Sequence, residues 1–251
     1  MSIYITGDIH GDPTRLSTGI FPEQKEMTKD DFVIICGDFG IIWKVIESKE
    51  EKWWLKWLDD KPFTTLFVDG NHSNFDRLYQ YPVVDFHGGK AHKISDSVYH
   101  LMRGEVFDLQ GKKFFTFGGA SSHDIRDGIL DPVIDADKIR KWRNDYDKLF
   151  RINGVSWWQQ ELPSEEEMQN GLNNLKANDY KVDFVITHCA PQTVASVFSY
   201  GLYEPDILTM YFNGLLDNGL EFDKWIFGHY HDNRQIMSKF IMLYEQIIRI
   251  V

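Results

Sequence analysis

The sequence predicts an α/β sandwich, with two β-sheets and helices outside them, on three observations. Short β-rich apolar runs recur at Ser2–Thr6, Asp31–Cys36, Thr65–Val68, Val182–Thr187 and Lys224–Phe227. All but the fourth are closed by glycine, and their length and composition fit strands buried on both faces. Longer helical patterns lie between them, and strands alternating with helices predict a largely parallel core. A third group, Val98–Met102, Glu105–Leu109 and Lys112–Phe117, is packed around Gly111 and reads as antiparallel.

The helices follow in order. Glu47–Asp60 carries Trp53, Trp54 and Trp57 at mixed i+3 and i+4 spacing. Asn74–Tyr81 is short and stops at Pro82. Asp135–Phe150 is highly charged. Ser164 with Glu167 three residues on is a capping-box pattern opening a helix to about Asn178. Arg234–Ile250 reads as a closing hairpin. No repeat or linker interrupts the chain, so residues 1–251 are expected to form one domain, with a rim insertion around 121–165.

The 251 residues are 43% hydrophobic and 26% charged, a globular balance that excludes disorder. No apolar run approaches the roughly 20 residues that span a bilayer. The net charge of −11 disfavours nucleic acid as a partner unless metal ions or a basic patch offset it. Cys36 and Cys189 are too few for a disulfide framework. With no secretory leader visible after Met1, the expectation is a cytoplasmic protein with reduced thiols.

The chemistry lies at the strand ends. The five runs lead into Gly7-Asp8-Ile9-His10-Gly11, Gly37-Asp38, Gly70-Asn71-His72, His188, and Gly228-His229-Tyr230-His231. In open α/β sheets functional groups gather at the carboxyl ends of strands. Each piece alone is weak, because a Gly-Asp is commonly a turn and a lone histidine commonly structural. Together they supply two aspartates, one asparagine and five histidines, a set that would be costly to pack without cations. Mixed oxygen and imidazole donors suit Mn, Fe, Zn or Co better than Ca.

This ordered set resembles the calcineurin-like metallophosphoesterase family, and its motifs run from Asp8 to His231. The resemblance implies a four-layer α/β sandwich of two mixed sheets flanked by helices, with a two-metal site. Carried over, one metal takes Asp8, His10, Asp38 and His231, and the other takes Asp38, Asn71, His188 and His229, with Asp38 bridging. His72 then acts on the leaving group or the transition state. The implied reaction is hydrolysis of phosphate esters by a metal-bridging hydroxide, with two divalent ions, manganese first among them.

The pattern departs from the Ser/Thr protein phosphatases of the superfamily, whose second motif is Gly-Asp-x-x-Asp-Arg-Gly. Here Ile41 and Ile42 stand where the extra Asp and Arg would be. A phosphate-binding cation must come from elsewhere. Arg77 is a candidate, but a surface ion pair is its simpler role; His123 and Arg126, in the Gly118–Gly128 loop, are the substrate-contact candidates. His87, His92 and His100 read as structural or solvated, and Trp157 and Trp158 as anchors for the helix that follows. The expected substrate is a phosphorylated small molecule or nucleotide. The alternatives are a nuclease, a dinucleoside polyphosphate hydrolase or a phosphoprotein phosphatase. A non-catalytic scaffold is disfavoured because every ligand position is filled.

Overall fold

The computed structural model describes Ser2–Val251. The chain opens with β1 (Ile3–Thr6), β2 (Phe32–Ile35), α1 (Lys49–Asp59), β3 (Thr64–Phe67) and α2 (Phe75–Leu78). Next come β4 (Val83–Phe86), β5 (Gly89–Lys93), β6 (Val98–Leu101), β7 (Glu105–Leu109) and β8 (Lys112–Phe117). Then follow β9 (Gly128–Leu130), α3 (Ala136–Trp142), β10 (Phe150–Ile152), α4 (Glu165–Ala177), β11 (Phe184–Thr187), α5 (Gln192–Ser199) and α6 (Ile207–Asp217). The last elements are β12 (Lys224–Phe227), β13 (Arg234–Ile236), β14 (Phe240–Met242) and β15 (Ile247–Arg249).

They form an α/β sandwich. One sheet has the order β15-β1-β2-β3-β6-β5-β4 and the other β13-β14-β12-β11-β8-β7. The period of two along each strand sorts its side chains between layers. Ile3, Ile5, Ile34 and Leu66 of the first sheet meet Phe114, Phe184, Ile186 and Ile226 of the second in the middle core. The alternate residues Val33, Ile35 and Phe67 face outward onto Leu55 and Leu58 of α1. On the opposite side Val185, Trp225 and Phe227 face Leu175 of α4, Val194 of α5 and Phe212 of α6. This two-sided burial is why the central runs are continuously apolar. Ser48 caps α1 by accepting from the Glu51 N–H at 3.1 Å, and the Ser164/Glu167 capping box opens α4.

Four details differ from the sequence reading. Strand β6 does not join β7; it lies in the first sheet, parallel to β3 and antiparallel to β5. The chain changes sheet at Met102–Gly104, and alternation along a strand does not reveal which sheet it enters. The β4–β5 hairpin was not anticipated, because its outer strand is half exposed and patterns weakly. The helix expected over 135–150 is only Ala136–Trp142: none of its residues is buried, so no packing extends it. Finally, β13 and β14 form a hairpin, but β15 crosses back to pair antiparallel with β1.

Between β8 and α4 the rim carries α3 and the parallel pair β9–β10. Trp158, 3% exposed, ties this segment down. Its ring meets Trp43 at 5.5 Å and its Nε1–H donates to Asp76 at 2.8 Å. Trp158 thus anchors the segment ahead of α4.

Candidate metal centre

The strands β1, β2 and β3 are parallel in one sheet, and β8, β11 and β12 in the other. Their carboxyl ends open on one edge of the sandwich and bring Asp8, His10, Asp38, Asn71, His72, His188, His229 and His231 into a single cluster. Ring nitrogens and carboxylate oxygens of Asp8, His10 and His231 lie within 4.8 Å of one another, as do those of Asp8, Asp38 and His188.

The backbone there is bent out of its ordinary range. His10, Asp38, His229 and His231 have φ of 45°, 40°, 69° and 50°, left-handed values that cost of order 1–3 kcal/mol each outside glycine. The tight loops are held by hydrogen bonds: the His10 N–H donates to the Asp38 carbonyl at 2.8 Å, and the His229 N–H to the Asp8 carboxylate at 3.0 Å. Glycines let the loops close on the side chains. A Cβ on Gly37, whose φ is +94°, would stand 2.1 Å from His188 Nδ1, and one on Gly228 would stand 2.0 Å from Asp8 Oδ1.

Two groups of donors emerge. In the first, His10 Nε2 and His231 Nε2 are 2.9 Å apart, and Asp8 Oδ2 is 3.3 Å from His231 Nε2. In the second, His188 Nε2 is 3.2 Å from Asn71 Oδ1 and 3.3 Å from Asp38 Oδ1, while its Nδ1 bonds the Cys36 carbonyl at 2.9 Å. Asp38 reaches both groups, since its Oδ2 is 3.7 Å from His10 Nδ1. His229 packs its ring 4.9 Å from His188, but its Nε2 faces His123 Nε2 at 3.3 Å. His72 comes within ligand reach of His10 and Asp38.

The chemistry of this donor set fits divalent metal ions. Asp8 and Asp38 are 0% and 2% exposed, and facing imidazole nitrogens can share only one proton between them. A cation would use the remaining lone pairs and offset both buried charges.

The cluster's pKa shifts follow from its crowding. Burial alone would lower His188, but the Asp38 and Asp8 carboxylates outweigh it and raise the group to about 9. Burial raises the Asp38 carboxyl, yet the His188 charge and hydrogen bond, with His72 and His10, carry it well below the usual range. Burial pushes His10, His72 and His229 down. His231 is pushed up, chiefly by its hydrogen bond to Asp8.

The rim segment reaches into this cluster. Arg151, 5% exposed, places Nη2 3.0 Å from His72 Nε2 and donates from Nη1 to the Asn71 carbonyl at 3.4 Å. Asp124 accepts from its Nε at 2.6 Å. Glu161 accepts from the Ser122 N–H and hydroxyl, and Ser122 Oγ lies 3.5 Å from Asn71 Nδ2. The Gly-Asn-His turn is thus braced from the rim. Sequence reasoning missed Arg151, which sits in a three-residue strand just past the stretch read as helix.

Of the proposed substrate contacts, His123 is at the cluster's edge. Arg126 is not brought to it: its guanidinium pairs with Asp127 at 3.2 Å and the Asp147 carbonyl at 2.7 Å. Arg77 is likewise engaged elsewhere, donating to Glu51 at 2.8 Å. His92 and His100 are buried as a pair and His87 is exposed, all three outside the cluster.

A fold of two mixed sheets with this donor set at their shared edge defines a metal-dependent phosphoesterase, and the sequence comparisons agree. A model of the calcineurin-like phosphoesterase family matches residues 1–233, and the chain belongs to that family, as a hydrolase of phosphoesters. It is also similar to lariat debranching enzyme A of Xenopus laevis, at 26% identity over 155 residues. That match takes in 56% of this chain and spans 28% of the relative's length. Among the described residues, no helix is long and apolar enough to cross a membrane.

Proposed function

We propose that the protein hydrolyses small phosphate esters or nucleotides with two divalent ions, manganese among them, held by the paired donor groups. Asp8, His10, Asp38 and His231 would hold one ion, and Asp38, Asn71, His188 and His229 the other. The observation that carries this reading is that Asp38 lies against both groups, with Oδ1 3.3 Å from His188 Nε2 and Oδ2 3.7 Å from His10 Nδ1. When bound, such a pair supplies a Lewis acid for the phosphoryl oxygens and lowers the pKa of water.

The chain's own residues do the rest. Arg151 offers a fixed cation to the phosphate, in place of the Arg that Ile42 replaces. A guanidinium only donates, so His72 Nε2 accepts and the ring's proton sits on Nδ1 in the resting protein. With Arg151 fixed there, the Nδ1–H is the donor His72 offers to the leaving oxygen as charge develops on it. Trp43, whose ring lies 5.2 Å from His72, limits water on that side. Both thiols are free and buried, which supports a reducing, cytoplasmic setting.

Metal analysis of the manganese-loaded protein, with turnover of monoesters, diesters, nucleotides and a phosphopeptide, tests this reading. About two ions per chain and preference for small esters or nucleotides are expected; absence of bound transition metal would refute it. The partial similarity to a lariat debranching enzyme favours, as a second reading, a phosphodiesterase acting on nucleic acid. The charge of −11 weighs against it.

A further inference from the structure

A cavity of about 670 Å³ opens beside His123 and His229, at the edge of the donor cluster. One wall is aromatic: Tyr203 stacks on His123 with centroids 4.9 Å apart, and Tyr230 meets Tyr203 edge-on at 5.0 Å. Glu204 and Asp206 also line the cavity, and Asp206 already accepts from Ser121 Oγ at 2.6 Å and from the Thr209 N–H at 2.7 Å. Gln192 donates to the Tyr203 carbonyl at 2.8 Å, while its buried Oε1 has no partner. Among the described residues, those lining the cavity include no lysine or arginine.

We propose that this cavity holds a nucleoside, the uncharged ring-bearing part of an ester whose phosphate lies at the Asp8–Asp38 cluster. The proposal rests on the phosphoesterase reading of that cluster and names its substrate class. Three physical arguments lead to it. Two carboxylates without a cation repel a second phosphate, so what enters here is neutral or cationic. Tyr203 and His123, stacked on one another, both line the cavity and offer a planar base aromatic surface to pack on. The carboxylates and the orphan Gln192 oxygen are acceptors, which suit the hydroxyl and amino donors of a nucleoside rather than a plain aryl group. The volume lies within the range of small-molecule sites.

Adenosine binding, followed by titration calorimetry on protein without added metal, tests the cavity apart from catalysis. Saturable binding is expected, about ten-fold weaker in Tyr203→Ala and restored in Tyr203→Phe, the size that loss of one base–aromatic stack implies. With manganese, the ratio of kcat/KM for adenosine monophosphate to that for glycerol phosphate should fall about ten-fold in Tyr203→Ala, mainly through KM. No adenosine binding, or equal loss on both esters, overturns the proposal. Tyr203-dependent adenosine binding in a protein that cleaves no ester would refute the phosphoesterase reading and leave the nucleoside site standing. Adenylyl-adenosine as a third substrate separates a strand end from a free nucleotide as the source of the nucleoside.

Discussion

The Arg151 guanidinium stands 3.0 Å from the Nε2 of His72, and Asp124 holds it there from the other side at 2.6 Å. A cation so placed, 6% exposed along its side chain, is oriented before substrate arrives. In the role proposed for it, its attraction for phosphate would be charge-assisted and forked, a geometry lysine lacks. Arg151→Ala is expected to lower kcat/KM about 10²–10³-fold, the usual effect of removing one preorganised transition-state donor. Arg151→Lys should recover part of it. Metal content, measured alongside, should be unchanged; an Arg151→Ala enzyme of native turnover would remove Arg151 from the mechanism.

His72→Ala should keep both ions and lose about 10²–10⁴-fold in rate, the range for a general acid or base. The loss should shrink on esters with good leaving groups, which depart without a proton. Because His72 also lies within ligand reach of His10 and Asp38, metal analysis decides between roles. Loss of an ion instead of rate would make it a ligand.

Asp38→Asn and Asn71→Ala should behave differently. Asp38 lies against both donor groups, so its amide should abolish activity and weaken at least one ion while the fold survives. The Asn71 side chain meets His188 and Ser122, in the second donor group, and its loss should leave the Asp8, His10 and His231 group occupied. Metal titration of the two variants, with circular dichroism as the folding control, compares them.

Acid stability should depend on His92. Its Nδ1 is 3.0 Å from that of His100, whose Nε2 bonds Asp69 at 3.0 Å. Burial, then the neighbouring His100, holds His92 at about 4, against about 6.5 in the unfolded chain. Between those values the unfolded chain binds a proton that the folded protein does not. The stability is therefore full above pH 6.5 and declines as pH falls toward 4, by on the order of 3 kcal/mol at most. Urea unfolding of the protein and of His92→Leu across pH 4–7 should show a shallower slope in the variant; identical slopes would show that His92 is not responsible.

The candidate donors were legible because each follows a short apolar run, and a parallel sheet delivers such ends to one edge. The central strands were legible for a related reason, since burial on both faces removes polar residues from runs such as Phe32–Ile35. Arg151 was not, because its role depends on where Phe150–Ile152 lands relative to His72, across 79 residues of chain. The short α3 was overread because charge suggests helix without supplying the apolar face that stabilises one. The sheet change between β6 and β7 depends on contacts such as Arg103 with Asp69, at 3.1 Å, which local sequence does not encode.

Strand β1 leads into Asp8 and His10, yet one of its two neighbours in the sheet is β15, which begins only at Ile247. The ladder that pairs Tyr4 with Arg249 and Thr6 with Ile247 can form only after residues 247–249 have left the ribosome. Nascent chains therefore expose one edge of β1 until β15 is made, an open template for wrong strand pairing. Such long-range closure slows folding and makes the last step the one that completes the sheet. A pulse of hydrogen exchange during refolding should find the amides of β1 facing β15 among the last to gain protection, and those facing β2 earlier.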